Sequence, residues 1–296
     1  MINILLSSIF IISFFNEPNA NHLNNSFLKW NQPFSKEKCL DENGYMLVNY
    51  ENENQCLRYY PSSSLNGEKI VVIQLYGDRD VSSRSPIDEI KNNTKADQEK
   101  LAIAKLKKTK NIPWVILARP GTYGSSGNHK EKRMLSEFLA INKALDGLKG
   151  RYGIERFIIV GHSGGATLGA GLLTLGRTDI QCAILSSGTY DYLARRALKK
   201  LEQNSFSYDS QTRRVSQQYD PYFYTENIVK DPNRKIFIMG DTRDKNTPFH
   251  LQLAFAFKLE KAGHQVNIVE FAGKGPDHHN INESDFIYLI KECSDS

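Results

Sequence analysis

The run Gly161-His162-Ser163-Gly164-Gly165 stands between a short branched apolar segment, Arg156 to Val160, and a helix-forming stretch from Ala166 to Leu175. A chain that passes from strand to helix in so few residues must bring the two elements almost into contact. Glycines two positions either side of Ser163 remove the side chains that would block that approach, and they leave the serine on a sharp, strained turn. The unit implied is a buried strand with a helix folded straight back onto it. The five-residue pattern alone is common, and its place between strand and helix is what makes it specific.

The rest of the chain repeats that alternation. Tyr45 to Tyr50 and Gln55 to Tyr60 read as two strands joined by a polar Asn/Glu turn, and Lys69 to Tyr76 as a third. The runs Trp114 to Ala118, Arg156 to Val160, Gln181 to Leu185, Lys235 to Met239 and Gln265 to Phe271 are short, branched and bounded by Gly or Pro, as buried parallel strands are. Met134, Phe138, Ile141, Leu145 and Leu148 recur at helical steps and predict a helix ending near Gly150. A second helix opens at Pro248, carries Leu251, Phe255 and Leu259, and stops at Gly263. An antiparallel start followed by strand–helix units predicts an α/β fold: a mixed, mostly parallel sheet of about eight strands with helices on both faces. Residues 189 to 230 break the rhythm, being rich in Tyr, Arg, Lys and Gln. They are expected to form a small cap over the carboxyl ends of the strands or a long surface connection.

A serine hydroxyl attacks only if a base takes its proton, and that base needs an acid to orient it. Candidates follow in that order. Asp241 and Asp244 lie just after the strand ending at Met239, and His278 and His279 in the Gly-rich loop after the strand ending at Phe271. His22, His129, His162, His250 and His264 are scattered singly, and no chemistry is assigned to them.

With these residues in place the chain resembles the α/β-hydrolases over roughly residues 45 to 293, nearest in layout to small single-domain esterases and the catalytic domains of prolyl-oligopeptidase-like enzymes. The resemblance implies Ser163 as nucleophile. It selects Asp244 as acid, four positions before Pro248, and His278 as base, with His279 in the place of a bulky neighbour. The segment Arg119 to Gly127 is similar to the R-G-x-G-x-S loop of the family, whereas Tyr76-Gly77-Asp78 replaces its common His-Gly pair. The oxyanion hole is then expected from the Gly164 N–H and from the N–H of Asp78 or Gly77, with the Asp78 carboxylate turned away. The activity implied is cleavage of an ester, thioester or peptide bond in a small-molecule or peptide acyl substrate, with no metal or organic cofactor. Its rivals are an acyltransferase on the same triad and a catalytically silent binding protein on this fold.

Composition sets the outer limits. A chain of 296 residues with 40% apolar content can bury one large core. The net charge of +5 is spread along the sequence and makes no case for nucleic acid. The local basic stretch Lys105, Lys107, Lys108 and Lys110 reads as a solvated helix face rather than a phosphate site. Ile4 to Phe15 is apolar but too short to span a bilayer, and Ala20 follows it, which predicts a signal peptide over 1–20, a mature start near Asn21 and an exported, periplasmic or secreted protein without stable membrane insertion. A short anchor or a buried N-terminal helix is the alternative. Residues 21–44 then form an extension, and 45–296 the main domain with its insertion at 189–230. Cys39, Cys56, Cys182 and Cys293 show no metal-ligand spacing. Cys39 and Cys56 flank the first hairpin and are placed to pair on export, while Cys182 reads as a small buried hydrophobe.

Overall fold

The computed structural model describes residues 26–41, 44–79, 86–109, 111–205, 207, 209–282 and 284–294. The expected signal peptide and its cleavage point at Ala20 lie outside those residues. Helix α1 (Lys36–Asp41) leads into β1 (Tyr45–Tyr50) and β2 (Glu53–Pro61), which pair antiparallel as the polar turn between them requires. Then follow β3 (Ile70–Leu75), α2 (Lys95–Lys108), β4 (Trp114–Leu117), α3 (Leu135–Tyr152), β5 (Arg156–His162), α4 (Gly164–Thr174) and β6 (Ile180–Ser186). The insertion supplies α5 (Tyr192–Glu202), α6 (Ser210–Ser216) and a 3₁₀ segment, Pro221–Asn227. The chain closes with β7 (Lys235–Gly240), α7 (Phe249–Lys261), β8 (Gln265–Glu270) and α8 (Ser284–Ser294).

These strands form one eight-stranded sheet in the order β1-β2-β4-β3-β5-β6-β7-β8, antiparallel at β1–β2 and β2–β4 and parallel from there on. Alternate residues of each central strand face opposite layers, as strand geometry dictates. On β5, Phe157 and Ile159 join a core built with α3, α4 and α7, while Ile158 and Val160 join one built with α8. The sheet is thus covered on both faces, as expected of this fold.

Several details depart from the sequence reading. Helix α3 runs past Gly150 and stops at Gly153, whose left-handed φ of 74° closes the last turn. Strand β8 is half open to solvent because it is the last strand of the sheet and has one strand neighbour, β7. The boundary expected at residue 45 is no packing boundary, since Leu28 and Trp30 are buried against Tyr60, Ala118 and Tyr123. Lys105 is buried with Gln98 and Ala102 on the inner face of α2, its ammonium 5.2 Å from the Trp114 ring centre and 5.7 Å from that of Phe286. Only Lys107 and Lys108 of that stretch face solvent, and Lys110 lies outside the described residues.

The pairing expected of Cys39 and Cys56 is present, with Cα atoms 5.5 Å apart. Cys182 is buried as expected but is no free hydrophobe. It is bonded to Cys293 across 111 residues of sequence, tying β6 to α8. Among the described residues no helix is long and apolar enough to cross a membrane, and no cluster of His, Cys, Asp and Glu could hold a metal ion.

Candidate active site

Ser163 sits between the end of β5 and the start of α4 with φ 54° and ψ −121°, the strained turn that its flanking glycines predict. The approach is close enough to exclude any larger residue. A Cβ on Gly161 would lie 2.4 Å from the Gly165 carbonyl, and one on Gly165 2.1 Å from that of Leu75. The Ser163 N–H is anchored on the Ser186 carbonyl at 2.8 Å, so the turn is pinned to the end of β6 as well.

Two loops from β7 and β8 converge on it. Asp244 is buried, and its Oδ1 accepts the N–H groups of Asn246 and Thr247, each at 2.8 Å. Its Oδ2 lies 2.8 Å from the Thr247 hydroxyl and 2.8 Å from His279 Nδ1. His279 Nε2 in turn lies 3.0 Å from Ser163 Oγ. A carboxylate only accepts, so Nδ1 carries the proton and Nε2 presents a lone pair to the serine hydroxyl. Burial would raise the Asp244 pKa, but the bonds from His279 and Thr247 outweigh it and hold the carboxyl below its usual range.

The structure does not bring His278, the expected base, to Ser163, and its neighbour His279 stands there instead. His278 has a left-handed φ of 51°, which swings its side chain away from that of its neighbour. Its Nδ1 lies 3.4 Å from the Gly273 carbonyl and 3.9 Å from Asp241 Oδ2, while the buried His279 enters the site. Asp241, the rejected acid, holds the two loops together: it binds Arg243 and accepts the Gly273 N–H at 2.6 Å.

Residues 124–288, more than half of the chain, match the sequence profile of the prolyl oligopeptidase family, peptidase S9. The chain belongs to the prolyl oligopeptidase family. Its eight-stranded sheet and the solved structures it resembles give it the α/β-hydrolase fold. Among solved structures it is similar to an acylaminoacyl peptidase of Pyrococcus horikoshii, at 16% identity and TM-score 0.54, over 83% of this chain and 39% of that one. Another acylaminoacyl peptidase, in complex with a chloromethyl ketone, aligns at 18% identity and TM-score 0.54 over 85% of this chain, which spans only 41% of its length. An esterase of Pyrococcus furiosus aligns at 17% identity and TM-score 0.58 over 91% of this chain and 98% of that one. Est1E of Butyrivibrio proteoclasticus, bound to ferulic acid, aligns at 15% identity and TM-score 0.59 over 83% and 96%. No curated protein matches the chain.

In this member of the family the loop after β3 is stabilised by charge. Asp78 packs against Gly164, its Oδ1 within contact of where a Cβ of that glycine would stand. It is neutralised there by Arg119, at 2.7 Å, and by Arg133. Burial works against its ionisation, yet the two guanidinium groups prevail and keep the carboxyl well below the usual range. Arg119 is fully buried and also grips Glu137 at 2.9 Å, so the Asp78–Arg119–Glu137 chain fixes the loop that carries the Gly77 and Asp78 amides. Gly164 opens α4, and the N–H groups of a helix's first turn have no partner within the helix.

His162, to which the sequence assigns no chemistry, lies beside His279. Its ring stands 5.1 Å from that of His279, its Nδ1 is 3.1 Å from Ser186 Oγ, and burial, reinforced by His279, lowers its pKa to about 4. It is neutral at pH 7 and supports the His279 ring without competing for its charge. The cavity in front of Ser163 has a volume of about 600 Å³ and an apolar wall of Val160, Ile184, Ile281 and Phe286. Thr189 and Arg195 from the insertion also line it, so 189–230 contributes a wall of the site rather than a remote connection. That Arg195 faces inward could be found only from the packed structure.

Proposed function

We propose that this hydrolase cleaves carboxylic esters or aminoacyl bonds through an acyl-enzyme on Ser163, with His279 as the base and Asp244 as its orienting acid. The observation that carries the reading is the unbroken chain of contacts from Asp244 Oδ2 through His279 to Ser163 Oγ, 2.8 Å and 3.0 Å long. In the forward step His279 Nε2 takes the serine proton as Oγ attacks the substrate carbonyl. Asp244 stabilises the resulting imidazolium, and the amides of Gly164 and of Asp78 or Gly77 receive the oxyanion. His279 then gives the proton to the leaving group, and water repeats the sequence to free the acid. No step calls for a metal or an organic cofactor. The esterases that align over nearly their whole length favour ester substrates as the first class to test.

The apolar run Ile4 to Phe15 and the two disulfides support export to an oxidising compartment as part of the same reading. A panel of acyl esters and aminoacyl amides tests the activity. The expected outcome is measurable turnover of at least one class, and a loss of roughly 10⁴-fold or more in Ser163→Ala with the fold retained. Turnover that survives that substitution would overturn the assignment.

A further inference from the structure

The carboxylates around the cavity are engaged by partners other than Arg195. Asp78 is bound by Arg119 and Arg133, Glu137 by Arg119, and Asp244 by His279. Arg195, on α5 and also lining the cavity, forms no ion pair among the described residues. Its Nε donates to the Asn246 carbonyl at 2.6 Å, and its Nη2 to the Asn246 side-chain oxygen. Both acceptors are neutral. They fix the plane of the guanidinium through one edge without cancelling its charge, and they leave the second edge, Nη1 with the remaining Nη2 hydrogen, without a protein acceptor among the described residues. Burial, and after it the nearby charge of Arg133, hold the Arg195 pKa below the usual arginine value, which is the cost of keeping this cation without an anion. Arg79, Lys105, Lys132 and Arg133 line the same cavity, so its field favours a negative ligand.

We propose that the substrate of this site carries a carboxylate, and that Arg195 receives it on its second, unpaired edge. Two parallel N–H groups match the two oxygens of a carboxylate, and the apolar residues Val160, Ile184, Ile281 and Phe286 of the same cavity suit the substrate's carbon portion. The proposal rests on the reading of Ser163 as nucleophile. The carboxylate belongs either to the acyl group or to the departing alcohol or amine, and both place the same chemistry on Arg195.

The test uses paired fluorophosphonates that differ only in a terminal carboxylate or its methyl ester, with that group on the alkyl chain in one pair and on the alkoxy group in the other. Ser163 Oγ forms a bond to phosphorus, the P–F bond breaks, fluoride leaves with the electron pair, and the serine proton passes to His279. Rates of Ser163 labelling are normalised to each probe's reaction with hydroxide. The carboxylate probe of one pair should react about fivefold faster or more than its ester, an ion-pair effect of ordinary size, and which pair does so tells the acyl side from the leaving-group side. In Arg195→Met that ratio should fall to about one, and Arg195→Lys should keep part of it. Because both probes are compared on the same protein, a displaced Asn246 turn that slows both cancels from the ratio. A ratio under about fivefold in both wild-type pairs, or one left unchanged by Arg195→Met, overturns the proposal while the hydrolase reading stands. If no probe labels Ser163, the hydrolase reading fails and takes the proposal with it.

Discussion

At the scale of single residues, two adjacent pairs lie in the loops beside Ser163, and in each pair the members have different partners. Asp244 is buried against His279, whereas Asp241, held by Arg243 of its own loop, joins that loop to the one after β8 by accepting the Gly273 N–H. Asp244→Asn should therefore lower turnover by several orders of magnitude, roughly 10⁴-fold, with little loss of stability, because the imidazole loses the acceptor that sets its tautomer. Asp241→Asn should instead lower stability by about 1–3 kcal/mol through its weakened loop bonds and reduce turnover far less. Steady-state kinetics paired with thermal melts of the two variants separate these outcomes, and equal losses of turnover would show that Asp241 belongs to the reacting group. That Ser163 and Asp244 meet at one site was legible in the sequence, because each follows a recognisable strand and stands at a fixed offset from Gly or Pro. Which histidine joins them was not. His278 and His279 share one irregular loop, and which of them enters the site depends on a left-handed φ at His278 that no periodicity announces.

Among the elements, the sheet was readable strand by strand because buried parallel strands are written as short continuous apolar runs. The insertion was not, since α5 buries only Tyr192 and Lys200 and α6 none of its residues, so no continuous apolar run marks it. Its anchor is Asp220, buried before the 3₁₀ segment, which accepts the Tyr192 N–H at 2.7 Å and so ties the start of α5 to the end of the insertion. Burial pushes the Asp220 pKa up to about 7, the amide of Tyr192 opposing and Asp191 adding to the shift. A carboxyl raised in the folded state binds its proton more tightly there than in the unfolded chain. Its contribution is thus fully present below the unfolded value of about 4 and lost as the pH rises through about 7. Wild-type stability should fall over that window relative to Asp220→Asn, which does not titrate. Melting temperatures at pH 4, 6 and 8 check this: the variant should gain on the wild type at each step, and a variant that loses ground at pH 8 contradicts it.

For the whole molecule, the bond between Cys182 and Cys293 links the middle of the sheet to the last helix across 111 residues. Its partner choice was illegible in the sequence, because Cys182 sits in a strand and Cys293 far away in a helix whose docking site is set by packing alone. Closing so long a loop restricts the unfolded chain, so Cys293→Ser should cost about 2–4 kcal/mol in denaturant unfolding. A cost near zero would mean that α8 is held by Phe286, Leu289 and Ile290 without help from the bond. The catalytic account draws on the same long-range order, because Ser163 and His279 meet only when β5 and the loop after β8 are both in place. The most direct measurement is peptide mapping after treatment with a neutral fluorophosphonate, carried out on the wild type, His279→Ala and His278→Ala. The account predicts a single adduct on Ser163 in the wild type, retained in His278→Ala and lost in His279→Ala, and an adduct that persists in His279→Ala but vanishes in His278→Ala would contradict it.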